Sequence, residues 1–145
     1  MKIGPEDMEQ MNLVRFLDRN NLLFTHIPNS TWTPSWSQKH KNKHMGVRRG
    51  FPDMVICIPK NKSKDGEPWL LFIELKKKRK MLKSGKPSKS RPGTTPEQDE
   101  WLEFLGGVPG NTAATVSCGA YEAKQFIVDY MRNPAGFVDA NTWLD

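Results

Sequence analysis

Three charged residues sit at the ends of two apolar runs. Asp53 opens the run Asp53-Met54-Val55-Ile56-Cys57-Ile58, and Glu74 and Lys76 close the run Leu70-Leu71-Phe72-Ile73-Glu74-Leu75-Lys76. The intervening polar stretch, Asn61 to Pro68, has Asp65-Gly66 at its centre and reads as a turn. If the runs pair as an antiparallel hairpin, the start of the first lies beside the end of the second, and Asp53 comes next to Glu74 and Lys76. Glu74 and Lys76 are two apart on a strand, so they share a face. Two carboxylates and an ammonium at one sheet end can hold a divalent cation through hard oxygen ligands and activate a water. The carbonyl of Leu75, between them, is a further candidate ligand. Lys76 is placed to orient a nucleophilic water or to stabilise a developing oxyanion. Taken alone, Pro-Asp followed some twenty residues later by Glu-x-Lys arises often by chance, and a turn aspartate plus a strand-end ion pair would explain it. The surrounding elements raise its weight.

Residues 5–20 read as a helix, with Pro5 suited to its first turn and Glu6, Asp7 and Glu9 at the positive end of its dipole. Leu13, Val14, Phe16 and Leu17 form its apolar stripe. Glu6, Gln10, Leu13 and Leu17 share one face, and Glu9 lies slightly to the side. One or two acids therefore sit at the core-facing side of the first turn, either as ordinary capping acids or as members of the site. Leu22 to Ile27 reads as a strand. Thr33-Pro34 then starts a basic helix reaching Met45, in which Trp36 either packs on the core, the slightly favoured reading, or meets a nucleic acid base. Residues 52–59 and 68–75 form the proposed hairpin, and their near-continuous apolar character predicts strands covered on both faces. Residues 77–93 read as a mobile loop. Thr95-Pro96 starts another helix, with Trp101, Leu102, Phe104 and Leu105 on its apolar side. Ala113 to Cys118 is a short strand, and Tyr121 to Arg132 a final helix. The expected fold is α/β, a small mixed sheet flanked by helices. Residues 1–132 form the single domain and 133–145 an irregular tail, whose Phe137, Trp143 and Leu144 are placed to dock on the body or on a second subunit.

The net charge of +6 is local. Residues 76–91 hold nine Lys or Arg and residues 39–49 five more, with no acid in either stretch. Acids outnumber bases in the remainder. Such patches suit a polyanion, with nucleic acid ahead of membrane, although a single lysine run is as often a solvated loop. Candidate phosphate contacts are Lys39, Lys41, Lys43, Arg48, Arg49, Lys77, Lys78, Arg79, Lys80 and Lys83. Cys57 and Cys118 lie inside apolar runs without metal-ligand spacing or a disulfide framework. They point to a reducing compartment. No apolar signal region or run of about 18 apolar residues is present, so a soluble, cytoplasmic protein is expected.

The chain resembles the PD-(D/E)xK nuclease superfamily and, within it, the VRR-NUC (virus-type replication-repair nuclease) domain. The resemblance spans nearly the whole chain. It rests on Glu6 and Gln10, His26-Ile27-Pro28-Asn29, Met45-Gly46-Val47-Arg48, Gly50-Phe51-Pro52-Asp53, Phe72-Ile73-Glu74-Leu75-Lys76, Thr95-Pro96-Glu97-Gln98 with Trp101, and Cys118-Gly119. It implies a restriction-endonuclease-like αβββαβ core similar to that of Holliday-junction resolvases, found in small phage or bacterial proteins that are often dimeric. It implies a DNA endonuclease of replication, repair or recombination dependent on Mg²⁺ or Mn²⁺. Asp53 and Glu74 would be metal ligands, Lys76 catalytic, and Gln98 would reach the site from the following helix. A supporting acid would come from the first helix, where spacing to Gln10 favours Glu6 and the distance to the first strand leaves Glu9 open. The loop after Lys76 is longer and more basic than the family pattern. A non-catalytic nucleic-acid-binding module on the same fold is the alternative, and it leaves the acid pair unexplained.

Overall fold

The computed structural model describes residues 2–28, 33–90 and 93–137. Four helices and four strands follow in the order α1 (Pro5–Arg19), β1 (Leu23–His26), α2 (Trp36–His44), β2 (Met54–Ile58), β3 (Trp69–Lys76), α3 (Pro96–Gly107), β4 (Thr112–Cys118) and α4 (Ala120–Val128). The order and the α/β mixed-sheet class match the expected αβββαβ core, with α2 inserted and α4 appended. Pro5 and Pro96 start their helices at a position where a missing N–H costs nothing. Among the described residues, no helix is long and apolar enough to cross a membrane.

The sheet order is β1-β2-β3-β4. The first three strands form an antiparallel meander, and β4 joins β3 in parallel after a crossover through α3. Strand alternation sorts β3 into two faces. Leu71, Ile73 and Leu75 join Leu13, Phe16 and Leu17 of α1 and Ala120, Ala123 and Ile127 of α4 in one buried cluster. Each large aliphatic side chain buried there contributes roughly 1.5–3 kcal/mol. Phe72 and Glu74 face the opposite layer, which α3 covers: Phe51 lies edge-on to both Phe72 and Trp101. β3 is buried from Leu71 to Leu75, as its continuous apolar run predicts. β2 departs from that reading. Only Met54, Ile56 and Ile58 are buried, and Val55 and Cys57 are half-buried because α3 lies over β4, two strands away.

Four other expectations change. Trp36 does not pack on the core; it is 74% exposed, and α2 buries none of its residues. Phe104 is also exposed, so the apolar side of α3 narrows to half-buried Trp101, Leu102 and Leu105. The last helix stops at Val128 rather than Arg132. Tyr130 and Met131 tighten onto the carbonyls of Ile127 and Val128, and the Tyr130 carbonyl accepts from Lys64 N, so tertiary partners capture the final turn. Within residues 77–93, read as a mobile loop, residues 80–88 close into a hairpin. Leu82 N donates to the Lys86 carbonyl, Ser88 N to the Lys80 carbonyl, and Gly85 turns the tip at φ +80°. Beyond the final helix, Ala135 exchanges hydrogen bonds with the buried Asn20 side chain at 2.7 and 2.9 Å, and Phe137 stacks on Tyr121. Asn29, Trp143 and Leu144 lie outside the described residues.

Candidate active site

The site forms just before β2 begins, where β3 continues past it. Met54 pairs with Ile73, and past that point β3 has no strand partner on its β2 side. The Asp53 side chain takes over: its Oδ2 accepts a hydrogen bond from Leu75 N at 2.9 Å. In an extended strand the N–H and C=O of one residue point to the same edge. The Leu75 carbonyl therefore faces the edge that Asp53 occupies. The Asp53 backbone is pinned in turn by β1, with Ile27 N donating to its carbonyl at 2.6 Å and His26 Nδ1 within 3.1 Å of it.

Gln98 enters from the first turn of α3. Thr95 caps that helix, accepting from Gln98 N at 3.1 Å, while Gln98 Oε1 accepts from Thr95 N at 3.0 Å. This reciprocal capping box fixes the amide. Its Nε2 donates to Glu74 Oε1 at 2.9 Å, and its Oε1 accepts from Lys76 Nζ at 3.3 Å. Lys76 Nζ also lies 3.5 Å from Glu74 Oε1. Gly50 makes this approach feasible. It has φ +90°, and a Cβ there would stand 2.5 Å from the Glu97 carbonyl carbon and 2.7 Å from Gln98 N. Trp101 Nε1 holds the neighbouring Arg49 carbonyl at 3.1 Å. The roles of Gly50, Arg49 and Trp101 in clasping the Asp53 loop to α3 escape spacing arguments, although a glycine just before Phe51-Pro52-Asp53 is a signal of close backbone approach.

Glu74 is 4% exposed, and its Oε2 is buried without a hydrogen-bond partner among the described residues. Burial raises its pKa to about 7, the Asp53 charge adds to the rise, and Lys76 opposes it. A buried carboxylate oxygen left unpaired beside a second acid is a costly arrangement unless a proton or a cation completes it. The donor set fits a hard divalent ion: the Asp53 carboxylate, Glu74 Oε2 and the Leu75 carbonyl, all oxygens. No cluster of three or more His, Cys, Asp or Glu is found among the described residues.

The first-helix acids sit on the other layer. Gln10 Nε2 contacts Met54 Sδ at 2.8 Å, one residue from Asp53, and Glu6 lies a turn earlier, exposed to solvent. Glu9 is engaged elsewhere: its Oε1 accepts from Ala120 N at 3.0 Å, capping α4. Gly119, at φ +91°, leaves room for it, since a Cβ there would stand 2.7 Å from Glu9 Oε1. The structure therefore brings Asp53, Glu74, Leu75, Lys76 and Gln98 together, and leaves Glu6 and Glu9 outside that cluster.

Of the cationic candidates, Lys39, Lys41 and Lys43 are exposed on α2, and Lys77, Lys78, Lys80 and Lys83 along the chain after β3. Arg48 Nη1 donates to the carbonyls of Lys43 and Val47 at 3.1 Å, closing the C-terminal end of α2, and Arg49 is exposed. Arg79 turns inward: its Nε pairs with Glu122 Oε2 at 2.8 Å, and its Nη1 donates to the Ser88 and Ser90 carbonyls. It staples the basic hairpin to α4.

This architecture has a counterpart among solved structures. A protein described as a VRR_NUC domain protein superposes with a TM-score of 0.58 over 90% of this chain and 90% of its own, at 24% sequence identity. The chain shares its fold with a VRR_NUC domain protein. No protein-family profile and no curated protein matches the sequence. The VRR_NUC-like fold is thus carried by topology more than by overall sequence identity.

Proposed function

We propose that the protein is a Mg²⁺- or Mn²⁺-dependent DNA endonuclease. The observation that carries this reading is the buried Oε2 of Glu74 beside Asp53, without a hydrogen-bond partner among the described residues, with Lys76 on the same face. Asp53, Glu74 and the Leu75 carbonyl would hold the ion. When bound, it would neutralise phosphate charge and lower the pKa of a water. Asp53 is oriented for this by Leu75 N, and Glu74 by Gln98. Lys76 holds a proton-rich ammonium where negative charge develops on the attacked phosphate, and Gln98 keeps that ammonium beside Glu74. Hydrolysis adds water across one P–O ester bond, and the proton leaves with the displaced alcohol. Glu6, whose side chain has no hydrogen-bond partner among the described residues, is the first-helix acid we assign to an outer-shell water, and Glu9 to anchoring α4. The cationic residues of α2 and of the stretch after β3 would contact the phosphate backbone without reading sequence. Paired cuts across a Holliday junction would further require a two-fold dimer.

The test incubates supercoiled plasmid and branched DNA with protein, with Mg²⁺, Mn²⁺ or chelator. Metal-dependent cutting is expected, abolished by Glu74→Ala or Lys76→Ala while DNA binding persists. Cutting retained in both variants, or absent from the wild type on every substrate, would refute the hydrolase and leave a binding module.

A further inference from the structure

Helix α2 contributes nothing to the core, yet it carries a tryptophan. Its nine residues bury no side chain, and Trp36 is 74% exposed. Isolated helices shorter than about 12–15 residues are marginal in water, so this one lacks the packing that usually sustains such an element. Trp36, His40 and His44 recur at four-residue intervals and share a stripe. The Trp36 and His40 ring centroids are 5.7 Å apart, and His40 stacks towards His44 at 6.4 Å. Lys39 Nζ lies 5.9 Å from the Trp36 ring centroid. No acid occurs from Lys39 to Arg49.

A row of exposed rings at one helix face, flanked by cations and serving no core, is a surface suited to a ligand. The cores of protein–protein interfaces are depleted in lysine, whereas this stripe is bracketed by Lys39, Lys41 and Lys43. Charge complementarity selects a polyanion, and open ring faces select one whose own π-faces are accessible. A duplex offers phosphates but hides its base faces in the stack; an unpaired strand offers both. The C-terminal end of α2 is joined to the proposed site by a short connection. Met45 caps α2, and Arg49, fixed by Trp101 on the helix that bears Gln98, follows four residues later. Four residues span at most about 14 Å.

We propose that α2 is a stacking platform for unpaired nucleotides, so that the substrate carries a single-stranded segment next to the duplex or branch being cut. The reference to cutting rests on the nuclease reading; the platform itself does not. The test is fluorescence anisotropy in chelator, where nothing is cut, with a labelled oligothymidine and a blunt duplex of equal length. Trp36→Ala is expected to weaken oligothymidine binding about tenfold, in the range for loss of one base–aromatic stack, and duplex binding less than twofold. Trp36→Phe should restore most of the loss. The triple change of Lys39, Lys41 and Lys43 to Ala should weaken both ligands and reduce the salt dependence of each. Because α2 buries nothing, Trp36→Ala should melt like the wild type. Equal loss on both ligands, or no loss on either, overturns the proposal. So does light scattering in which Trp36→Ala converts a wild-type oligomer to a smaller species, which would make the stripe a contact between copies. A selective Trp36→Ala loss in a protein that cuts no DNA would uphold the platform and sink only the hydrolase.

Discussion

Glu74→Gln separates the energetic cost of the site from its chemistry. The folded-state pKa of Glu74 is raised from 4.5 to about 7, so between these values the native protein binds a proton that the unfolded chain releases. The stability this group contributes is fully present below about 4.5 and is lost as pH rises through about 7. At 1.36 kcal/mol per unit, that interval corresponds to about 3 kcal/mol lost between pH 4.5 and neutrality. Glutamine reproduces the neutral carboxyl in shape and keeps an oxygen for the Gln98 amide. Without metal, Glu74→Gln should match the wild type near pH 4.5 and exceed it at pH 8 by up to about 3 kcal/mol, the opposing pull of Lys76 being already contained in the shift. At roughly 2–4 °C per kcal/mol this is on the order of 6–12 °C in Tm. The assay is thermal melting in chelator from pH 4.5 to 8.5, reading the difference between the two proteins so that shared titrations cancel. Divalent metal should stabilise the wild type increasingly as Glu74 deprotonates, and the variant little. Parallel curves, with a difference independent of pH, would show that the Glu74 charge carries no penalty and remove the argument for a missing cation.

Three further substitutions probe how the site is held. Gly50→Ala places a methyl group 2.5 Å from the Glu97 carbonyl carbon at φ +90°, so α3 must shift; a loss of about 1–3 kcal/mol in denaturant melts is expected, with cutting reduced more than DNA binding, and a neutral result would mean that Gly50 does not set the Gln98 position. Glu9→Ala removes the cap on α4 and should cost about 1 kcal/mol of stability with cutting largely kept, whereas Glu6→Gln should leave melting unchanged and slow cutting; the reverse pattern would exchange the roles assigned to the two acids.

The site core was legible because its geometry is local. Period-two alternation puts Glu74 and Lys76 on one face, and antiparallel pairing across a short polar connection brings Asp53 beside them. Pro5, Thr95 and Pro96 mark helix starts by backbone chemistry that tertiary contacts rarely override. What could not be read depends on distant partners. The hairpin after β3 looks like a lysine-rich loop until Arg79 meets Glu122, 43 residues away. Glu6 and Glu9 are one turn apart, and only the arrival of Gly119 and Ala120 decides that Glu9 caps a helix. Trp36 looks like a core residue because aromatic residues usually find a core, and nothing in its own turn announces that α2 has none to offer.

The sheet end joins stability and chemistry in the same atoms. Asp53 replaces a missing strand residue by bonding Leu75 N, so the carboxylate that would hold a cation also terminates the β2–β3 ladder. Gln98 completes the α3 capping box with the amide that touches Glu74 and Lys76. Each of these groups is positioned by a bond the fold needs anyway, which lowers the entropy cost of ordering the site. Glu74 is only half satisfied: Oε1 accepts from Gln98 and pairs with Lys76, and Oε2 has no hydrogen-bond partner among the described residues. Structural demand accounts for Asp53 and Gln98; the second oxygen of Glu74 is answered by a proton shared with Asp53 or by a bound cation, and melting in chelator against melting in metal separates the two.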